Sequence, residues 1–256
     1  MFGKAQFRSA FKNILDLAFP PKCELCGQID PESTYPFLCK LCHNDFKSID
    51  EAICSICGTP FLTSFASSNA CETCFEDKPF FDESRSAGIY ETKLKDAIKL
   101  YKYQKKRHFY KPLSKFVLKN LALYLENLNF DSIISVPMSS KRLRTRGFDH
   151  AYLLAREIGE YTNTNVDFQN LYKNRETEAQ VELAYKDRKP NIKDSFSMKY
   201  PSKLVGKNVL LVDDVQTSGA TLNECAKVLK KEGKAKQVYC VTVARTISDY
   251  RFKITD

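Results

Sequence analysis

The stretch Val209-Leu-Leu-Val-Asp-Asp-Val-Gln-Thr-Ser-Gly-Ala-Thr221 decides the fold. An apolar run ends in two acids, Asp213 and Asp214, and a hydroxyl-rich turn follows: Thr217, Ser218, Gly219, Ala220 and Thr221. This is the pattern of a strand leaving a sheet into a helix, and open α/β sheets bind their ligands outside the carboxyl ends of the strands. A helix N-terminus offers unpaired N–H groups and partial positive charge, Ser and Thr add donors, and Gly219 permits close backbone approach. That set accommodates one phosphate group. The adjacent acids would repel a bare phosphate unless they meet sugar hydroxyls or a divalent ion, so the expected ligand is a ribose 5-phosphate with Mg²⁺.

These 13 residues resemble the signature of type I phosphoribosyltransferases, the pattern that binds phosphoribosyl pyrophosphate (PRPP). The resemblance implies that Asp213 and Asp214 hold the ribose 2′ and 3′ hydroxyls, while the turn from Thr217 to Thr221 wraps the 5-phosphate. It also implies a backbone loop for the pyrophosphate, for which Ser135 to Ser139 is the candidate, with Val136, Pro137 and Met138 at its centre. A mobile basic loop over the site is assigned to residues 173–190, with Arg175, Lys186 and Arg188. A plain solvated connection is the other reading of that segment.

At 256 residues with 43% hydrophobic and 28% charged residues, the chain has an ordinary globular composition, long enough for a medium domain and a small appendage. No apolar run approaches the roughly 18 residues of a membrane span. A secretory leader is not expected, because Lys12, Asn13 and Asp16 interrupt the N-terminal apolar residues. The expected location is therefore the cytoplasm. The formal charge of +9 is concentrated: residues 93–119 hold ten Lys or Arg and one acid, Asp96. Lys99, Tyr101, Lys102, Tyr103, Lys105, Lys106 and Arg107 interleave cations with aromatic faces, as a single-stranded nucleic-acid path does. A lysine-rich solvated helix face with its aromatics turned inward has the same composition.

Eight of the ten cysteines lie between residues 23 and 74 as four Cys-x-x-Cys pairs: Cys23/Cys26, Cys39/Cys42, Cys54/Cys57 and Cys71/Cys74. Twelve residues separate the first two pairs and thirteen the last two, an internal repeat of one zinc-ribbon unit. Two such turns close a tetrahedron of thiolates around Zn²⁺, so two structural zinc ions are expected. A segment this short has too little core to fold unaided, and zinc supplies on the order of 10 kcal/mol. The turns pair either sequentially or in a crossed arrangement. Cys225 and Cys240 lack partners at metal spacing and read as small core residues.

Beyond residue 80, strand and helix patterns alternate, giving an α/β fold with a parallel sheet flanked by helices. Ser132–Val136 reads as a strand, His150–Tyr161 as a helix, and the basic stretch between them, with Lys141, Arg142, Arg144 and Arg146, as a ligand loop. Residues 1–22 form an amphipathic segment, 23–80 the double zinc ribbon and 81–256 the phosphoribosyltransferase-like domain. In the first of these, Phe7, Phe11, Ile14, Leu15 and Ala18 repeat at helical spacing. Such a face either lies on a membrane surface or packs on its own domain.

With these residues placed, the chain resembles the ComF family of competence proteins, which joins a double zinc ribbon to a phosphoribosyltransferase-like domain. The likeness extends to Phe19-Pro-Pro21, Leu100-Tyr-Lys-Tyr103, Arg142-Leu-Arg-Thr-Arg-Gly-Phe148, and the series Arg175, Thr177, Gln180, Leu183, Arg188, Asn191 and Phe196. Asp149 departs from it, standing where the family usually carries Asn. The resemblance implies a role in natural transformation: receiving single-stranded DNA from the inner-membrane channel, beside other competence proteins; a peripheral membrane contact belongs to the membrane-surface reading of the N-terminal helix. The alternative is an active phosphoribosyltransferase, which needs an acceptor pocket that the residue pattern leaves unidentified.

Overall fold

The computed structural model describes residues 20–50, 52–61, 69–175 and 192–247. Residues 1–19 of the N-terminal amphipathic segment, and the positions Thr177, Gln180, Leu183, Lys186, Arg188 and Asn191, lie outside the described residues.

Four parallel strands form the sheet, in the order β1–β6–β5–β2: β1 Glu83–Ile89, β2 Ser132–Ser135, β5 Asn208–Gln216 and β6 Gln237–Arg245. A separate antiparallel hairpin pairs β3 (Leu171–Lys173) with β4 (Phe196–Met198). Strand β5 is apolar on both faces because both are covered, as parallel sheets require. Leu210 and Val212 enter one core with α3 (Thr92–Tyr103), α4 (Tyr110–Asn127) and α6 (His150–Thr162). Val209 and Leu211 enter the other, with α7 (Ala220–Lys231) and the hairpin. Leu222, Cys225, Ala226 and Leu229 of α7 are buried there, and so is Cys240.

The zinc-ribbon cysteines are packed into these same two cores. Cys23, together with Cys39 and Cys42 at the N-cap and inside of the short α1 (Lys40–Asn44), joins the first. Cys54, Cys57 and Cys74, the last on α2 (Glu72–Glu76), join the second. Between the ribbons, residues 47–49 run along the free edge of β1, where Ile49 N donates to Ala87 O (3.3 Å) and Ile89 N to Lys47 O (2.9 Å). A Cβ at Gly88 would stand 2.3 Å from Lys47 O, so only glycine admits this approach. The module therefore straddles an otherwise open sheet edge, one ribbon against each face.

Sequence pattern and structure differ between Pro137 and His150. The expected loop contains a helix, α5 (Ser140–Arg146), capped by the Ser139 hydroxyl and stopped at Gly147 with φ 83°. It buries no residue, so no apolar period marks it.

Candidate functional site

A cavity of about 450 Å³ opens at the carboxyl ends of β2 and β5. Strand β5 delivers Asp213, Asp214 and Val215 to it, and Thr217 and Thr221 line it from the following turn, which Ser218, Gly219 and Ala220 complete. Gly219 is the N-cap of α7 with φ 78°, a left-handed conformation that a side chain would strain. Val136, Pro137 and Met138 line the cavity after β2, and Val136 N donates to Val212 O at 2.9 Å, fixing that loop against β5. Elements far apart in sequence thus bring the two acids, the hydroxyl turn and the 136–138 loop around one space.

Lys102, from the last turn of α3, reaches in and places Nζ 2.7 Å from Asp214 Oδ1, both side chains being largely buried. Burial alone would push the Asp214 carboxyl up, but Lys102, His150 and Arg146 hold it below its usual range. Asp213 goes the other way: burial and the neighbouring Asp214 charge raise it well above the usual range. The two adjacent acids are thus pushed in opposite directions, Asp214 by its lysine partner and Asp213 by burial beside the Asp214 charge. His150 closes the floor, 1% exposed. Its Nε2 faces Tyr101 O at 3.2 Å and therefore donates, leaving Nδ1 to accept from Arg146 (3.5 Å). Burial lowers its pKa to about 4. Asp149, the departure from the family pattern, caps α6 by accepting from Tyr152 N at 2.9 Å.

Both cysteine sets fit Zn²⁺, and their pairing is sequential. Cys23, Cys26, Cys39 and Cys42 form one group and Cys54, Cys57, Cys71 and Cys74 the other, with all Sγ atoms of a group within 4.8 Å of one another. The Cys26–Cys39 and Cys57–Cys71 sulfurs are 3.6 and 3.7 Å apart. Those separations match the edge of about 3.8 Å that a thiolate tetrahedron has at a Zn–S distance of about 2.3 Å. Zinc held there supplies rigidity, not reactivity, since four thiolates leave no open position. The second group has an outer support: Arg245 donates to Thr59 Oγ1 and to Cys57 O, both at 2.6 Å, and Thr59 Oγ1 lies 2.9 Å from Cys57 Sγ.

Residues 14–76 match the double zinc ribbon domain family, and residues 143–256 the phosphoribosyl transferase domain family. Over 201 residues the chain is 30% identical to "Competence protein F" of Haemophilus influenzae, covering 77% of this chain and 85% of that protein. The chain belongs to the ComF family. It is also 28% identical to "DNA utilization protein YhgH" of Escherichia coli (strain K12), with 88% of this chain and 98% of that one aligned. Identity to "Competence protein ComFC" of Bacillus subtilis (strain 168) is 25%, over 82% of this chain and 84% of that one. The ComF chain's parallel sheet is accordingly a type I phosphoribosyltransferase-like fold preceded by a double zinc ribbon.

The basic-aromatic window of this ComF protein divides. Tyr101 is 0% exposed, its hydroxyl donating to His150 O at 2.9 Å, so it presents no face for a base and must be struck from the nucleic-acid path. Lys102 is likewise removed from the open surface by its pairing with Asp214. Lys99, Tyr103, Lys105 and Arg107 are exposed, whereas Lys106 pairs with Glu24 at 3.2 Å. Arg144 is exposed on α5, and Arg142 and Arg146 line the cavity. Lys173, the first residue of the basic loop expected over the site, does line the cavity, whereas sequence reasoning missed His150, Tyr90 and, from the hairpin, Phe196 as cavity-lining residues. Phe196 belongs to the spaced series that the family likeness includes, but it lies in a strand of three residues, and only the juxtaposition of distant elements marks it as cavity lining.

Proposed function

We propose that this ComF-family protein is a cytoplasmic DNA-handling protein of natural transformation that binds single-stranded DNA and, with Mg²⁺, PRPP. The observation that carries the reading is the cavity in which Asp213 and Asp214 stand beside the Thr217–Thr221 turn and the basic helix α5. Two adjacent carboxylates suit ribose hydroxyls, the hydroxyl turn at the N-terminus of α7 suits the 5-phosphate, and cations suit pyrophosphate. Mg²⁺ is held by one or two carboxylates together with substrate phosphates, and it neutralises the pyrophosphate charge. The names of the relatives support a role in competence and DNA use. Exposed Tyr103 with Lys99, Lys105, Arg107 and Arg144 supports contact with a nucleic-acid strand.

Among the described residues, no helix is long and apolar enough to cross a membrane. Contact with the inner-membrane channel or the bilayer surface is part of the same proposal and is taken as peripheral. A fluorescence titration of a labelled single-stranded oligonucleotide tests the DNA arm: micromolar or tighter binding that weakens steeply with salt is expected, and indifference to salt would count against it.

A second reading is favoured by Tyr90, Tyr103 and Phe196, aromatic side chains lining the same cavity. They suit a flat acceptor whose nitrogen bonds to ribose C1 as the bond to pyrophosphate breaks. Incubation with PRPP, Mg²⁺ and each common base, followed by product detection, decides it, since turnover would make the protein a transferase.

A further inference from the structure

The DNA path and the sugar-phosphate site, read from sequence as separate surfaces, share side chains. Lys102, Tyr103, Arg142 and Arg146 come from the basic segments expected to meet DNA, and all four line the cavity that holds Asp213, Asp214, Thr217 and Thr221. The sharing is physical. Arg146 lies over one face of the Tyr103 ring, 5.3 Å from its centroid, and also bonds His150 on the cavity floor. Tyr103 is 55% exposed, so one ring belongs to both the outer surface and the cavity wall. Its neighbour Lys102 turns inward to Asp214. Five Lys or Arg line the cavity (Lys102, Lys141, Arg142, Arg146 and Lys173) against two acids, Asp213 and Asp214. This lining attracts any polyphosphate but cannot neutralise two at once.

We infer that single-stranded DNA and PRPP meet in one cavity, at Tyr103, Arg142 and Arg146, and that each weakens the binding of the other. This rests on the function proposed above. Strand phosphates following the exposed cations from Arg107 and Lys105 past Tyr103 would reach Arg146 and Arg142, which line the same cavity as the 136–138 loop where a pyrophosphate would lie. Two anionic chains drawn to the same guanidinium groups repel each other, and linkage requires the effect to be equal in both directions. PRPP would thereby act as a release signal for bound DNA.

The experiment is a titration of labelled oligonucleotide against zinc-loaded full-length protein, at matched ionic strength, with and without saturating PRPP and Mg²⁺. The dissociation constant for DNA should rise on the order of tenfold. Calorimetry of PRPP at saturating oligonucleotide should show the same factor. In the Asp213→Ala/Asp214→Ala protein, PRPP should no longer displace DNA, which separates site occupancy from a general anion effect. Arg146→Ala, checked for folding by circular dichroism, should weaken both ligands. Both ligands binding the wild-type chain with neither affecting the other overturns the shared cavity while leaving the proposed function standing. Failure of the wild-type chain to bind either ligand alone overturns both.

Discussion

Replacing Lys102 by Met removes one partner of a largely buried ion pair and leaves Asp214 facing only more distant positive charge. At 2.7 Å and an effective dielectric of about 20, the lost attraction is about 6 kcal/mol before desolvation is counted. Breaking one side of such a pair costs about 3 to 5 kcal/mol. Asp214 has an escape, however: it can take up a proton. At pH 7 this costs about 4 kcal/mol for a carboxylate of ordinary pKa, and at pH 5 about 1.5 kcal/mol. The expected loss of stability for Lys102→Met is therefore about 3 to 4 kcal/mol at pH 7, shrinking below about 2 kcal/mol at pH 5. Urea unfolding of zinc-saturated protein at the two pH values measures it. Adding Asp214→Asn to Lys102→Met should recover part of the loss, since no buried charge is then left unpaired. A loss under about 1 kcal/mol at pH 7, or a double variant as unstable as the sum of the singles, would refute the pairing.

Burial of His150 gives a second stability effect. Its folded pKa, about 4, lies below the unfolded value of 6.5, so the unfolded chain binds more protons between these values and stability falls as pH drops through that window. The loss is on the order of 3 kcal/mol, and His150→Gln should flatten the pH profile of urea unfolding. Metal analysis should find two zinc ions per chain, and chelation should lower the unfolding temperature of the whole described fold, because the ribbon cysteines share both sheet cores. Tyr103→Ala should weaken oligonucleotide binding by the roughly 1 to 3 kcal/mol of one stacked base with an unchanged salt slope, whereas Lys105→Glu with Arg107→Glu should reduce the slope. Tyr101→Phe should leave DNA binding unaltered and cost about 1 kcal/mol of stability for the lost bond to His150 O.

What the sequence revealed was local. Residues 209–221 carry strand, acids and turn in one uninterrupted run, and each Cys-x-x-Cys pair announces half a tetrahedron. The buried face of α3 was legible too: Leu94, Ala97, Ile98 and Tyr101 stand at helical spacing and are the buried residues of that helix. Composition put Tyr101 with Tyr103 as stacking faces, but a two-residue step rotates the second ring toward the opposite side. The Lys102–Asp214 pair joins residues from different elements, and Arg245 reaches Thr59 across 186 positions. Neither leaves a local trace. Nor does the union of the basic segments with the sugar-phosphate cavity, which arises only when α3 and α5 converge over the end of β5.

Calorimetry of PRPP against the zinc-loaded chain, with and without Mg²⁺, bears on the cavity before any other property. The proposed site requires saturable binding at one site per chain that depends on Mg²⁺. It also requires each of Asp213→Ala and Asp214→Ala to weaken that binding, by roughly 1 to 3 kcal/mol for a lost charge-assisted contact. Heat of dilution alone from the wild-type chain, or equal affinity in the wild-type and aspartate variants, would contradict it.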